Sequence, residues 1–241
     1  MKALNLAVLL ILACPVPALS QDADRELFLA GKVIHCPGCD LGGADLAGRQ
    51  MTGANLAGAS LHGANLSKAV LDGADLSEAI LTRADLKGAS LVDADLSDVL
   101  AYQADFSTAT LAGADLAGAR LQHTRFTQAF AEGALASGAD FKGANMAGAN
   151  FKRADLPRAN LSNTDLQGAI LYGATAHRIG LVQANMVDAD FRFAKAQEAD
   201  LWSANLTRAR LSGADLRGAN MTRASIRFAV FDGTRLGSLP D

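Results

Sequence analysis

The sequence predicts an all-β solenoid, a chain wound into a coil whose successive turns stack as parallel strands. Three observations predict it. A hydrophobic residue recurs every fifth position from Leu41 to Leu236 without one slip in phase. Small Ala residues stand two positions before those centres. Half of the 241 residues are hydrophobic, yet only 5% are aromatic, which points to a narrow core with little room for large rings. A period of five fits neither standard element. On a helix each step of five advances about 500°, so the row would spiral around the surface. A straight strand alternates with period two. The conflict disappears if every unit turns a corner, and repeated corners wind the chain into a coil.

The centres are Leu, Phe, Met or Ile at 35 of 40 positions; Ala fills the rest, at Ala101, Ala131, Ala136, Ala176 and Ala196. Two residues before the centre Ala occupies 33 positions; one before, Asp or Asn occupies 21; two after, Gly occupies 18. Ala and Leu, two apart, both point inward, and the Asp or Asn between them points out. The next two residues turn the corner, where Gly supplies a positive φ at no steric cost.

The units Ala64-Asn65-Leu66 and Ala74-Asp75-Leu76 show the pattern plainly. On these residues the chain resembles the pentapeptide-repeat family, whose A(D/N)LXX signature runs from Cys39 to Leu236. The resemblance implies a right-handed quadrilateral parallel β-helix with four units, or twenty residues, per coil. About ten coils at about 4.8 Å each give a rod roughly 48 Å long. The pattern is broken at Arg49, Val99, Thr124, Thr164, Ile179 and Thr234. The stretches 123–137 and 175–183 are the least regular, and bulges or softer packing are expected there. Rings are expected to fill the space beside the small centres: Phe106 for Ala101, Phe151 for Ala131, and Phe191 between Ala176 and Ala196.

Ahead of the repeat, Met1 and Lys2 precede an apolar stretch, Ala3 to Ala13, of signal-peptide length. Ala18-Leu19-Ser20 offers a cleavage site before Gln21; the alternative is a lipoprotein anchored at Cys14. The expected organisation is a signal peptide at 1–20, a cap segment at 21–35, the β-helix at 36–238 and a tail at 239–241. Asp22 or Asp24 can cap a short helix whose Leu27 and Phe28, with Val33, lie over the first coil. No later stretch is apolar for long enough to span a membrane, so the mature protein is expected to be exported to the periplasm or beyond the cell.

Cleavage leaves two cysteines. By phase Cys36 is a centre and Cys39 an Ala equivalent, so both face inward across one corner, as a structural disulfide or as two buried thiols. The motif lacks the extra ligands of a zinc site and the histidine of a haem attachment. No cofactor motif is present.

Net charge is −3, which excludes a strongly basic nucleic-acid binder. Its distribution is uneven, −8 over residues 21–119 and +4 over 120–241. The stacked carboxylates Asp75, Asp95 and Asp115, with Glu78, Asp93 and Asp98 nearby, form an acidic ladder. A ladder presents oxygens in a line, where calcium wants them convergent. The histidines His35, His62, His123 and His177 lie far apart and make no catalytic constellation. Tyr102, Tyr172 and Trp202 fall at outward corners and, with Phe228 and Val230 in an apolar last coil, are the candidate interaction surface. The sequence thus reads as a non-catalytic structural or protein-interaction rod with an unknown protein partner and a weak homodimer through its C-terminal coil. Its alternatives are a DNA-mimicking, gyrase-protecting protein of the family's acidic branch and an enzyme or metal-binding solenoid.

Overall fold

The computed structural model describes residues 21–237. The expected signal peptide, Cys14 and the 239–241 tail lie outside the described residues. A helix, α1 (Gln21–Leu29), leads into a four-sided coil. Parallel bridges join residues twenty apart on every side: Asp40 to Ser60, Asp45 to Asn65, Gln50 to Val70, Asn55 to Asp75, and onward to Arg210 and Val230. Each side pairs one or two residues before the next corner. Among the described residues, two-residue strands therefore form only near the end, β1 (Asp215–Leu216) against β2 (Arg235–Leu236) in parallel register.

One unit shows why the motif makes this shape. Between Asn65 and Ala69 every amide finds an acceptor. Leu66 donates to the Asp85 carbonyl at 2.7 Å and Lys68 to that of Lys87 at 2.9 Å, both one coil on. Asn65 donates one coil back, to Ala44, and Ala69 closes the corner on Leu66 at 3.0 Å. The fifth amide, Ser67, donates to the Asn65 side-chain Oδ1 at 3.1 Å. The Asp or Asn of the motif is therefore the acceptor for the corner amide that the ladder leaves over, an Asx turn.

This bond recurs at every Asp or Asn of that position except Asp155. There the corner residue is Pro157, which has no amide hydrogen to offer. Across coils, Asn donates to the Asp beneath it, as Asn65 to Asp45 at 2.9 Å and Asn185 to Asp165 at 2.8 Å. Alternating Asp with Asn thus turns a repelling carboxylate stack into a hydrogen-bonded one.

The corners depart from the expectation of glycine. Each is closed by a hydrogen bond and has a positive φ at its second residue, the requirement of a type II turn. Many of those residues carry side chains, among them Lys68 (φ 57), Arg153 (φ 57) and Phe193 (φ 57). A left-handed residue with a side chain costs about 1–2 kcal/mol. The stacked ladder, which holds each corner from both neighbouring coils, tolerates that cost repeatedly.

The core is a column of buried Leu with inner Ala close to the backbone. The expected bulges are absent. Bridges run without a break through Arg125, Phe130 and Leu135, and through Thr175 and Gly180. The irregular residues instead stretch the corner bond, to 3.4 Å at Val99, Thr124 and Thr164. β-branching crowds the corner, but the coil pairing on either side fixes the register. The two buried threonine hydroxyls satisfy themselves on the carbonyls of Leu121 and Leu161, at 2.6 and 2.7 Å.

The rings compensate for small centres as expected, and more collectively. Phe106 stacks on Phe126 at 4.8 Å, and Phe126 meets Phe141 and Phe151 edge-on at 5.6 and 6.1 Å. These rings fill the space that Ala101, Ala131 and Ala136 leave. Phe191 is likewise fully buried between Ala176 and Ala196 in sequence.

The first coil is closed by α1. Phe28 is fully buried against it. Leu27 is half-buried, whereas Val33 is 36% exposed and covers little. Asp22 and Asp24 lie inside the first helical turn, not ahead of it, where they favour the positive end of the helix dipole. Gly31, at φ 71, ends the helix, with Lys32 and Gly31 donating to the carbonyls of Leu27 and Phe28 at 2.9 Å each. Arg49 occupies an inner Ala position because it serves this cap. Its guanidinium donates to the Phe28 carbonyl at 2.7 Å and lies 4.7 Å from that ring. Arg25 fastens the helix from the other side, on the Asp40 carbonyl at 2.6 Å.

Candidate interaction surface

With most motif polar groups used to hold the coil, the candidate surface is what remains outside it. Cys36 and Cys39 are joined by a disulfide across the first corner, with Cα atoms 5.4 Å apart, and both are buried. The bond staples the coil start and presents no reactive thiol.

The aromatic candidates do not form one patch. Tyr102 is 42% exposed and meets the His123 ring edge-on at 5.6 Å. Tyr172 is held between the Phe193 ring at 5.4 Å and the Arg192 guanidinium at 5.4 Å. Trp202 lies under Arg223 at 5.8 Å. Each ring is engaged by a residue about one coil further on. Tyr102 and Trp202 share an edge but stand a hundred residues apart, about 24 Å along the coil. Tyr172 belongs to another edge.

Phe228 and Val230 do come together, at the last coil. Phe228 is 78% exposed, Val230 40%, and the inner positions Ile226 and Leu236 are 51% and 54% exposed because no further described coil covers them. Among the described residues the amides of Met221, Ile226, Phe228 and Phe231 have no acceptor. Sequence reasoning missed Phe193 and Leu135, exposed at 53% and 46%. Phase alone places both outside, and that was the signal available.

The acidic ladder is a real stack: Asp75 bridges Asp95, which bridges Asp115. In each, Oδ1 is taken by the residue two further on, with the hydroxyls of Ser77 and Ser97 adding bonds of 2.6 Å. Among the described residues no group of three or more His, Cys, Asp or Glu could hold a metal ion. No described helix is long and apolar enough to cross a membrane.

Many bases of the C-terminal half brace the ladder. Arg125 pairs with Asp105 at 2.7 Å, Arg208 with Asp188 at 2.6 Å and Arg178 with Glu198 at 2.7 Å, each across one coil. Asp215 is the most heavily engaged. Arg217 binds both its oxygens, at 2.8 and 2.6 Å, Gln197 donates to it at 2.7 Å, and Arg235 stands 3.6 Å away. The Arg217 guanidinium, helped by its backbone amide and by Arg235 against the pull of burial, holds the Asp215 carboxyl down to about 2.

A carboxyl lowered on folding adds stability above its unfolded value of about 3.9, and that stability fades as pH falls through the folded value. Asp215→Asn keeps the corner acceptor and removes the charge. It is expected to cost about 1 kcal/mol at pH 7, after allowance for the exposed guanidinium, and nearly nothing at about pH 2. Urea unfolding of both proteins at several pH values checks this; an equal gap at all pH values refutes it.

The repeat, its corners and its twenty-residue coil decide the family. The profile of Pentapeptide repeats matches in eight copies across residues 38–128, 137–173 and 184–237. The chain is a pentapeptide-repeat protein. Among solved structures this pentapeptide-repeat protein is similar to HetL of Nostoc sp. strain PCC 7120, described as involved in heterocyst differentiation regulation. They share 31% identity over 88% of this chain and 95% of that one, with a TM-score of 0.35. It is also similar to QnrB1, a plasmid-mediated fluoroquinolone resistance protein, at 19% identity over 80% and 92% of the two chains and a TM-score of 0.48. A third is a pentapeptide repeat protein from the Arabidopsis thaliana thylakoid lumen, at 29% identity over 52% and 71% and a TM-score of 0.37. No curated protein matches the pentapeptide-repeat chain significantly.

Proposed function

We propose that this protein is a non-catalytic rod that offers its sides and its last coil to a protein partner in the periplasm or outside the cell. The observation that carries the reading is how the polar groups are spent. The Asp and Asn of the motif are committed to corner amides, and the exposed remainder is scattered rings, charged sides and one apolar end. The rod is read as about ten coils over residues 36–238. Residues 1–20 have the composition of an export signal, and a bonded Cys36–Cys39 pair suits an oxidising compartment. The basic C-terminal half weighs against the DNA-mimicking alternative.

Two measurements test this reading. N-terminal sequencing from a Gram-negative host is expected to start at Gln21, with no free thiol in the unfolded, unreduced protein. A lipidated start at Cys14, or an intact Met1 in the cytosol with free thiols, overturns it. A pull-down from periplasmic extract is expected to retain a partner that is absent from cytosolic extract.

The exposed Ile226, Phe228 and Val230 also support weak end-on homodimerisation through the last coil. Sedimentation of the wild type and of a Phe228→Asp, Val230→Asp variant tests it. A wild type that stays monomeric at high micromolar concentration rejects the dimer.

A further inference from the structure

One side of the coil carries opposite charge on its two halves. Its outward residues are those stacked at 75, 95, 115 and onward by twenties. Over the first half they are Asp75, Asp95 and Asp115, flanked at the corners by Asp93, Glu78 and Asp98, with no Lys or Arg among them. Several other ladder carboxylates are met one coil later by an Asn or Arg that bonds them, as at Asp45, Asp105, Asp140 and Asp165. These six form no ion pair among the described residues, and the Oδ2 atoms of Asp75, Asp95 and Asp115 have no hydrogen-bond donor among them.

Leu135, 46% exposed, follows on the same side. Beyond it stand Arg153, Arg158 and Lys195, which form no ion pair among the described residues, and then the Arg217 and Arg235 that surround Asp215.

We propose that this side binds a second copy of the chain, antiparallel and side by side, about a two-fold axis at the level of Leu135. Asp75 and Lys195 each lie three coils from Leu135, so in this arrangement each meets the other's counterpart. Asp98 and Arg178 are likewise equidistant from the axis, two coils on either side; beside them Glu78 meets Glu198, a like pair in which Glu198 is bonded to Arg178 at 2.7 Å. The match is built in, because both halves share one coil spacing. Shape agrees with charge: the corners beside the acidic half are the small Ser77, Ser97 and Ala117, which face Gln197, His177 and Pro157. Asp115 meets Asp155, a like pair, on a coil that also carries Arg153 and Arg158. Leu135 meets its own counterpart and supplies the apolar centre. The interface is narrow and mostly charged, so it is weak and screened by salt. It is separate from the end-on contact at the last coil.

Sedimentation of the purified protein tests the proposal. A dimer is expected at about 0.05 M NaCl that weakens at least about tenfold at about 0.5 M. Lys195→Glu places like charges against each other and is expected to abolish the dimer with the thermal midpoint unchanged. Asp75→Lys with Lys195→Glu is expected to restore it. Ser137→Cys, near the axis, is expected to cross-link to its counterpart. A monomer at low salt, a dimer indifferent to salt, or a charge-swapped protein that stays monomeric overturns the proposal. So does a dimer that survives Lys195→Glu and is lost with Phe228→Asp, since that is the end-on contact.

Discussion

Replacing Phe126 by Ala is expected to cost about 3–5 kcal/mol, the largest effect of a single core change in this rod. Phe126 is fully buried, stacked on Phe106 at 4.8 Å and edge-on to Phe141 and Phe151. Its own coil also holds Ala131 and Ala136, so one ring supplies volume that other coils divide among their Leu residues. The ladder that held register through this stretch also limits how far the backbone can collapse into a void. Part of the cost, about 0.5–1.5 kcal/mol per ring pair, belongs to ring geometry. Phe126→Leu, which fills much of the space without a ring, is therefore expected to recover most but not all of the loss. Phe106→Ala combined with Phe126→Ala is expected to cost less than the two changes summed, because the second removes a ring whose stacking partner is already gone. Urea denaturation of the four proteins measures this, and strict additivity contradicts it.

Phe28→Ala is expected to cost a comparable amount but to act differently, by opening an end. Phe28 is the helix residue fully buried against the first coil, and the Arg49 guanidinium rests on its ring and its carbonyl. Without the ring, α1 keeps few contacts, being only nine residues long. Its detachment uncovers the edge of the first coil, a template for pairing with other chains. The expected result is a lower thermal midpoint together with concentration-dependent aggregation, followed by light scattering. Arg49→Ala removes only the polar half of the contact and is expected to cost about 1–2 kcal/mol without aggregation. An aggregation-free Phe28→Ala refutes the capping role. In a coil whose turns contact only neighbours, loss at an end frays inward, whereas loss at Phe126 divides the rod.

The two faults show how different kinds of information were legible. The five-residue phase was enough to place Leu66 and Ala64 inside and Asn65 outside, and to put Phe151 beside Ala131, because periodicity reports which way a side chain points. It also placed Cys36 and Cys39 across one corner. It could not say what Asn65 does. That Asx bond is a relation between a side chain and an amide two residues on, and it matters only because the neighbouring coils and the corner bond have already claimed every other amide. Glycine was read as the source of the corner φ, yet Lys68 and Phe193 adopt it as well; intercoil bonds outweigh a local preference of about 1–2 kcal/mol. The expected bulges near Phe130 and Thr175 failed for the same reason, since register is set by neighbours twenty residues away. Arg49 looked like a break in the pattern until α1 lay over it. The engagement of Tyr102 by His123, and of Trp202 by Arg223, was equally hidden. By itself, then, the sequence determined the coil, its core and its corners, because a repeat writes local geometry directly into periodicity. Tertiary stacking alone decided which polar groups are spent, which charges are left unpaired and which end is covered, because those depend on residues one coil away.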